Sequence, residues 1–175
     1  MALQDKALPE AVKGGRAAEV ERLLKEDADP EAKDGGGIPA LVLAVQGGHL
    51  DALKLLRRHG ANLDATNSAG FTALMLAADS GEADCAEALL EWGADKDAAD
   101  DNGFTALHWA AEQGQLECAR LLVRARADRA KKTNGGETAL EVARQEGKAE
   151  VAALLEQADA DVRCVPSRVP CKPLF

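Results

Sequence analysis

Apolar positions return along this chain with a period of 33 residues. Leu8, Leu41, Leu74, Leu107 and Leu140 share one register, and Leu23, Leu56, Leu89, Leu122 and Leu155 share another. Alanine fills two more, at 7, 40, 73, 106 and 139 and at 11, 44, 77, 110 and 143. Gly15, Gly48, Gly81, Gly114 and Gly147 form a fifth. One residue type held through every unit in all of these registers defines internal repeats, at about 1–33, 34–66, 67–99, 100–132 and 133–161.

Inside a unit the apolar residues recur at helical spacing. In the fourth unit Leu107, Ala110 and Ala111 give an i, i+3, i+4 face, and Thr105 stands where an N-cap hydroxyl belongs. Gly114 ends that helix, because glycine takes the left-handed conformation without penalty. A second helix is predicted from about Leu116, with Leu116, Ala119, Leu122 and Val123 as its stripe. Asp100-Asp101-Asn102-Gly103, in front of Thr105, is a turn by composition. Two helices this short cannot cover their own apolar faces, but stacked units cover one another. The predicted fold is an all-α solenoid of helix-turn-helix units over residues 1–161, followed by a proline-containing basic tail over 162–175.

The 175 residues need no second domain. Aromatics are only 3% of the chain and tyrosine is absent, so the core is built from alanine and leucine, both strong helix formers. No run reaches the roughly 20 apolar residues of a membrane helix, and Met1 to Gly15 is charged throughout, unlike a signal peptide. Four cysteines are too few for a disulfide scaffold, which fits a cytosolic or nuclear protein. The net charge is −9, and residues 1–161 hold 18 basic against 30 acidic residues. That balance argues against nucleic acid as the partner.

The run Asp-Asn-Gly-Phe-Thr-Ala-Leu-His-Trp-Ala-Ala at 101–111, followed by Gly114 and Leu121-Leu122, resembles the ankyrin repeat. The resemblance covers about nine tenths of the chain. It implies a curved stack with β-turns projecting like fingers, and a concave surface of turns and first helices that binds partner proteins. The chain departs from the family pattern in places. Alanine replaces the family proline in every unit, and the family histidine survives only as His108. Pro39 replaces the cap threonine of the second unit, removing a hydroxyl worth on the order of 1 kcal/mol. Arg126 stands where Gly60 and Gly93 close their units, a cost of roughly 1 kcal/mol if the backbone is kept. The first unit lacks the turn and threonine and has Lys6 there, as a polar terminal cap should.

The residues that carry chemistry elsewhere have structural readings here. His49, His59 and His108 occupy different repeat positions and do not converge; His108 can bond Thr105 or the neighbouring turn. Cys85 and Cys118 share a position in adjacent second helices, about 8–10 Å apart, beyond disulfide reach, and read as small core residues. Gly35-Gly36-Gly37 is a turn with no phosphate-loop lysine after it, and Asp100-Asp101 has no opposed acid. No nucleophile, base, metal or cofactor constellation emerges, so the chain reads as a binding protein and not as an enzyme. Trp109 has apolar register mates in Leu43, Leu76 and Val142 and is predicted in the core; Trp92, with His59 and Ala125, is predicted partly exposed.

The binding residues are sought where the repeat varies. Ile38, Phe71 and Phe104 fill the register between turn glycine and first helix, and Glu137 shows that the position need not be buried. Stacking aligns the three into an apolar stripe, the usual mark of an interaction site. Gln46, Asp79, Ser80, Glu112 and Gln113 are predicted at the exposed ends of first helices, and Ser68, Asp101 and Asn102 on turn tips. This rim suits another protein with basic and apolar surface, bound to repeats two to four by a chain that is monomeric alone. The alternative reading is a structural or targeting segment. It would act through the basic cluster near residues 120–132 (Arg120, Arg124, Arg126, Arg129, Lys131 and Lys132) and the tail. That tail holds Cys164 and Cys171, which could pair on oxidation. It has too many prolines for a helix and ends on Pro173-Leu174-Phe175, a form that edge-strand binders accept.

Overall fold

A computed structural model describes residues 3–163, with side chains over 6–158. Each unit is a helix pair. The pairs are α1 (Leu3–Lys13) with α2 (Ala17–Lys25), α3 (Ala40–Gln46) with α4 (Leu50–Arg58), and α5 (Ala73–Ser80) with α6 (Ala83–Glu91). Then come α7 (Ala106–Gln113) with α8 (Leu116–Arg124), and α9 (Ala139–Gln145) with α10 (Ala149–Arg163). First helices pack on first helices in the order α1, α3, α5, α7, α9, and second helices on second helices, so the units form two parallel rows. Helix α10 runs on to Arg163. The rest of the stretch read as a tail, with both its cysteines, lies outside the described residues.

The core is the seam between the rows. Leu8, Leu41, Leu74 and Leu107 are at most 1% exposed, whereas Leu140 in the same register is only half-buried. The last unit has no neighbour beyond it among the described residues, so the end of the seam stays open. Cys85 and Cys118 are buried and free. Burial, with help from Glu82 and other acids, pushes both thiols up to about 11, which leaves them unreactive near neutral pH.

Local signals set the helix ends. Thr72 accepts from the Met75 N–H at 3.2 Å, and Thr138 and Glu141 cap one another at the start of α9. Pro39 sits at the start of α3 in extended backbone with no side-chain cap. The repeat glycines Gly81 and Gly114 close α5 and α7 in left-handed backbone.

A ladder of carboxylates joins the units at the other end of the helix pairs. Glu31 accepts from the Asn62 N–H (2.6 Å), Asp64 from the Asp95 N–H (2.8 Å) and Asp97 from the Asp128 N–H (2.7 Å). These charge-assisted bonds set the spacing of successive units.

Arg126 keeps the glycine conformation, at φ 60°, as does Asp27 in the same register at φ 63°. Arg126→Gly should therefore stabilise the chain by roughly 1 kcal/mol, less the extra freedom that glycine gives the unfolded chain. An upward shift of the urea midpoint is the expected reading, and an unchanged midpoint would mean that arginine bears no strain there.

Candidate functional site

Each projecting turn is closed from both sides by one residue. In the second unit the Asp34 side chain accepts from the N–H groups of Gly36 and Ile38 at 2.8 and 2.9 Å, and the Asp34 N–H donates to the Ile38 carbonyl at 3.0 Å. Asn67 does the same for Ala69 and Phe71, and Asp100 for Asn102 and Phe104. In the last turn Thr133 binds the Glu137 N–H through its hydroxyl at 3.3 Å. Ile38, Phe71 and Phe104 thus occupy one backbone position, held by a side chain four residues earlier. All three are half-buried.

The rings do not stand alone. Phe71 packs on Trp109 with centroids 4.7 Å apart, and Phe104 packs on Trp109 at 5.1 Å and on His108 at 5.6 Å, all in tilted geometry. Trp109, predicted in the core, instead packs against its edge. It is half-buried, as is Leu76 at the same position, while Leu43 and Val142 are buried. The indole N–H donates to Asp100 Oδ2 at 3.2 Å. Asp100, only 7% exposed, therefore closes the turn with one oxygen and anchors the tryptophan with the other.

His108 lies beneath this cluster, 1% exposed. The Thr105 N–H donates to its Nδ1 at 3.2 Å, so the ring proton sits on Nε2 and reaches the Glu137 carbonyl at 3.2 Å. Burial holds its pKa below the usual histidine value against carbonyls and carboxylates that raise it, so the folded ring is neutral. His49 lies against the Lys13 carbonyl and His59 is exposed, so the three histidines do not meet. Among the described residues no three His, Cys, Asp or Glu side chains are grouped to hold a metal ion.

Gln46, Ser80 and Gln113 are exposed at first-helix ends, and Ser68, Asp101 and Asn102 are exposed on turns. Asp79 and Glu112 are half-buried. Burial, then Glu146, Asp79 and Asp100, pushes the Glu112 carboxyl above its usual range. Sequence reasoning missed Glu146, whose register mate is the neutral Gln113, and missed the part played by Asp100; the pairing of an aspartate with a tryptophan nine residues on was the available signal. In the basic cluster, Lys131 donates to the Asp97 carbonyl at 2.6 Å and Arg120 lies 3.6 Å from Glu117, while Arg124 and Arg126 are exposed.

Stacked helix pairs with a protruding turn in units two to five define a repeat solenoid. A family model described as ankyrin repeats in three copies matches residues 8–100 and again 93–165. The chain belongs to the ankyrin-repeat family, whose repeats are generally protein–protein interaction modules and whose members are typically not enzymes. A search of curated proteins finds no significant match. No helix of the described residues is long and apolar enough to cross a membrane.

Proposed function

We propose that the chain is a non-catalytic adaptor or inhibitor that holds another protein on the concave face of repeats two to four. The observation that carries this reading is the half-exposed cluster of Phe71 and Phe104, which follow adjacent projecting turns, with Trp109 of α7. Aromatic residues that are rigidly held and partly open to water are the side chains most enriched among binding hot spots. Ile38 extends the apolar surface to the second unit. The exposed polar residues around it form the rim that an interface needs, and roughly 800 Å² per partner is a span that several repeats can supply. Action is by occupancy: blocking, tethering or recruiting. Four cysteines are too few for a disulfide scaffold, which favours a reducing compartment, cytosolic or nuclear.

A lysate pull-down that compares wild type with Phe71→Ser/Phe104→Ser tests the site. Each ring should contribute about 2 kcal/mol to binding, so the double variant loses its partner. It should still unfold cooperatively, with a midpoint lowered by the ring contacts it gives up, about 1 kcal/mol each. A folded variant that keeps every partner would sink the assignment and turn attention to the basic cluster around Arg124 and to the segment after Arg163.

A further inference from the structure

Trp109 and Glu112 lie three residues apart on α7 and so share one face of that helix. Each is flanked by its own kind. Trp109 has Phe71 and Phe104 against it, and Glu112 lies within the field of Asp79 from α5 and Glu146 from the end of α9. An aromatic band across units three and four and a carboxylate band across units three to five therefore run side by side. On the second-helix side, and where α9 meets α10, some acids have cations: Glu21 binds Lys25 at 2.8 Å, Glu26 binds Arg22 at 3.0 Å and Glu156 binds Arg144 at 2.8 Å. Asp79, Glu112 and Glu146 form no ion pair among the described residues. Burial and like charge hold the Glu112 carboxyl above its usual range, a cost that an arriving cation relieves.

We infer that the partner presents an extended segment with apolar side chains along one edge and arginine or lysine along the other, lying across units three to five. This rests on the concave face being the binding face, as proposed above. An extended strand sends alternate side chains to opposite edges, which matches two parallel bands of different character. At about 3.3 Å per residue, some six residues span two repeats spaced about 10 Å apart. The apolar edge meets Phe71, Phe104 and Trp109; the basic edge meets Asp79, Glu112 and Glu146. Like-charged partners are rejected because they would add to a repulsion already present.

Three synthetic twelve-residue peptides, titrated into the full chain by calorimetry, test this. They are alternating Val-Arg, alternating Val-Glu and alternating Ser-Arg. Val-Arg should bind tightest, with each of the others weaker by about tenfold or more. Asp79→Asn/Glu112→Gln/Glu146→Gln should weaken Val-Arg by about tenfold and flatten its salt dependence. Asp51→Asn/Glu87→Gln/Glu91→Gln removes the same charge from exposed second-helix positions and should change affinity by less than about twofold. Equal losses from the two triple variants would reduce the effect to general attraction by an acidic chain and overturn the inference. So would Val-Glu binding as tightly as Val-Arg. If Phe71→Ser/Phe104→Ser abolishes that Val-Glu binding, the face stands and only its charge class falls. If the ring variant leaves Val-Arg affinity untouched, the concave-face reading itself fails.

Discussion

Asp100→Ala should destabilise the chain by about 3 kcal/mol, because it removes one carboxylate that accepts from three donors and leaves them with weaker partners. The donors are the N–H groups of Asn102 and Phe104, at 2.8 and 2.9 Å, and the indole N–H of Trp109, at 3.2 Å. The site is 7% exposed, so water replaces little of what is lost. Asp100→Asn is the discriminating control. Asn67 already closes the preceding turn through its amide oxygen, at 2.9 and 3.0 Å, which shows that the backbone bonds survive the change. Only the tryptophan anchor is lost, and its amide replacement donates where an acceptor is needed. The expected cost is about 1 kcal/mol. Urea unfolding followed by circular dichroism measures both, and tryptophan emission reports the release of Trp109. An alanine variant within 0.5 kcal/mol of wild type, on the order of the smallest single hydrogen-bond contribution, would mean that the turn holds without its aspartate.

Gly103→Ala is the second large effect, and Gly136→Ala is its built-in comparison. The two glycines share a register and are both left-handed, at φ 79° and 87°. A Cβ on Gly103 would lie 2.8 Å from the backbone nitrogen of Asn134 in the next turn, whereas nothing lies within 4 Å of one on Gly136. That nitrogen donates to the Asn102 carbonyl at 2.9 Å, and the Asn134 side chain donates to the Asp101 carbonyl at the same distance. Alanine at 136 should cost only the left-handed backbone, about 1 kcal/mol. Alanine at 103 must also push two turns apart, for a total of about 3 kcal/mol. Because Asp101 and Asn102 lie in this contact, the variant should also lower partner affinity. Equal losses at the two positions, read from urea midpoints, would show that adjacent turns yield freely.

Much of this protein is legible in its sequence. The 33-residue period, the two helices of each unit, the threonine caps and the glycine stops all follow from which residue type recurs where. The same logic picks out Ile38, Phe71 and Phe104 as one register, and the structure gives all three equivalent backbone bonds. It also reads His108 correctly as a structural residue, with Thr105 on one side and the next turn on the other. These features are local, or they repeat, and a repeat converts a contact between units into a pattern along the chain.

What the sequence does not reveal is how side chains of unlike size meet between units. Trp109 shares a register with apolar residues, yet its ring sits partly in water against Phe71, which is 38 positions earlier. Asp100 looks like a turn aspartate until the indole is found on its second oxygen. The Glu112 carboxyl is pushed above its usual range by burial and then by Glu146 and Asp79, which arrive from the units on either side. The carboxylate ladder from Glu31 to Asp128 is likewise invisible until the stack sets one unit's backbone against the next. Periodicity fixes which faces are covered, because burial is repeated unit after unit. The stacking distance and the volume of each ring decide which side chains touch, and only the tertiary structure sets those.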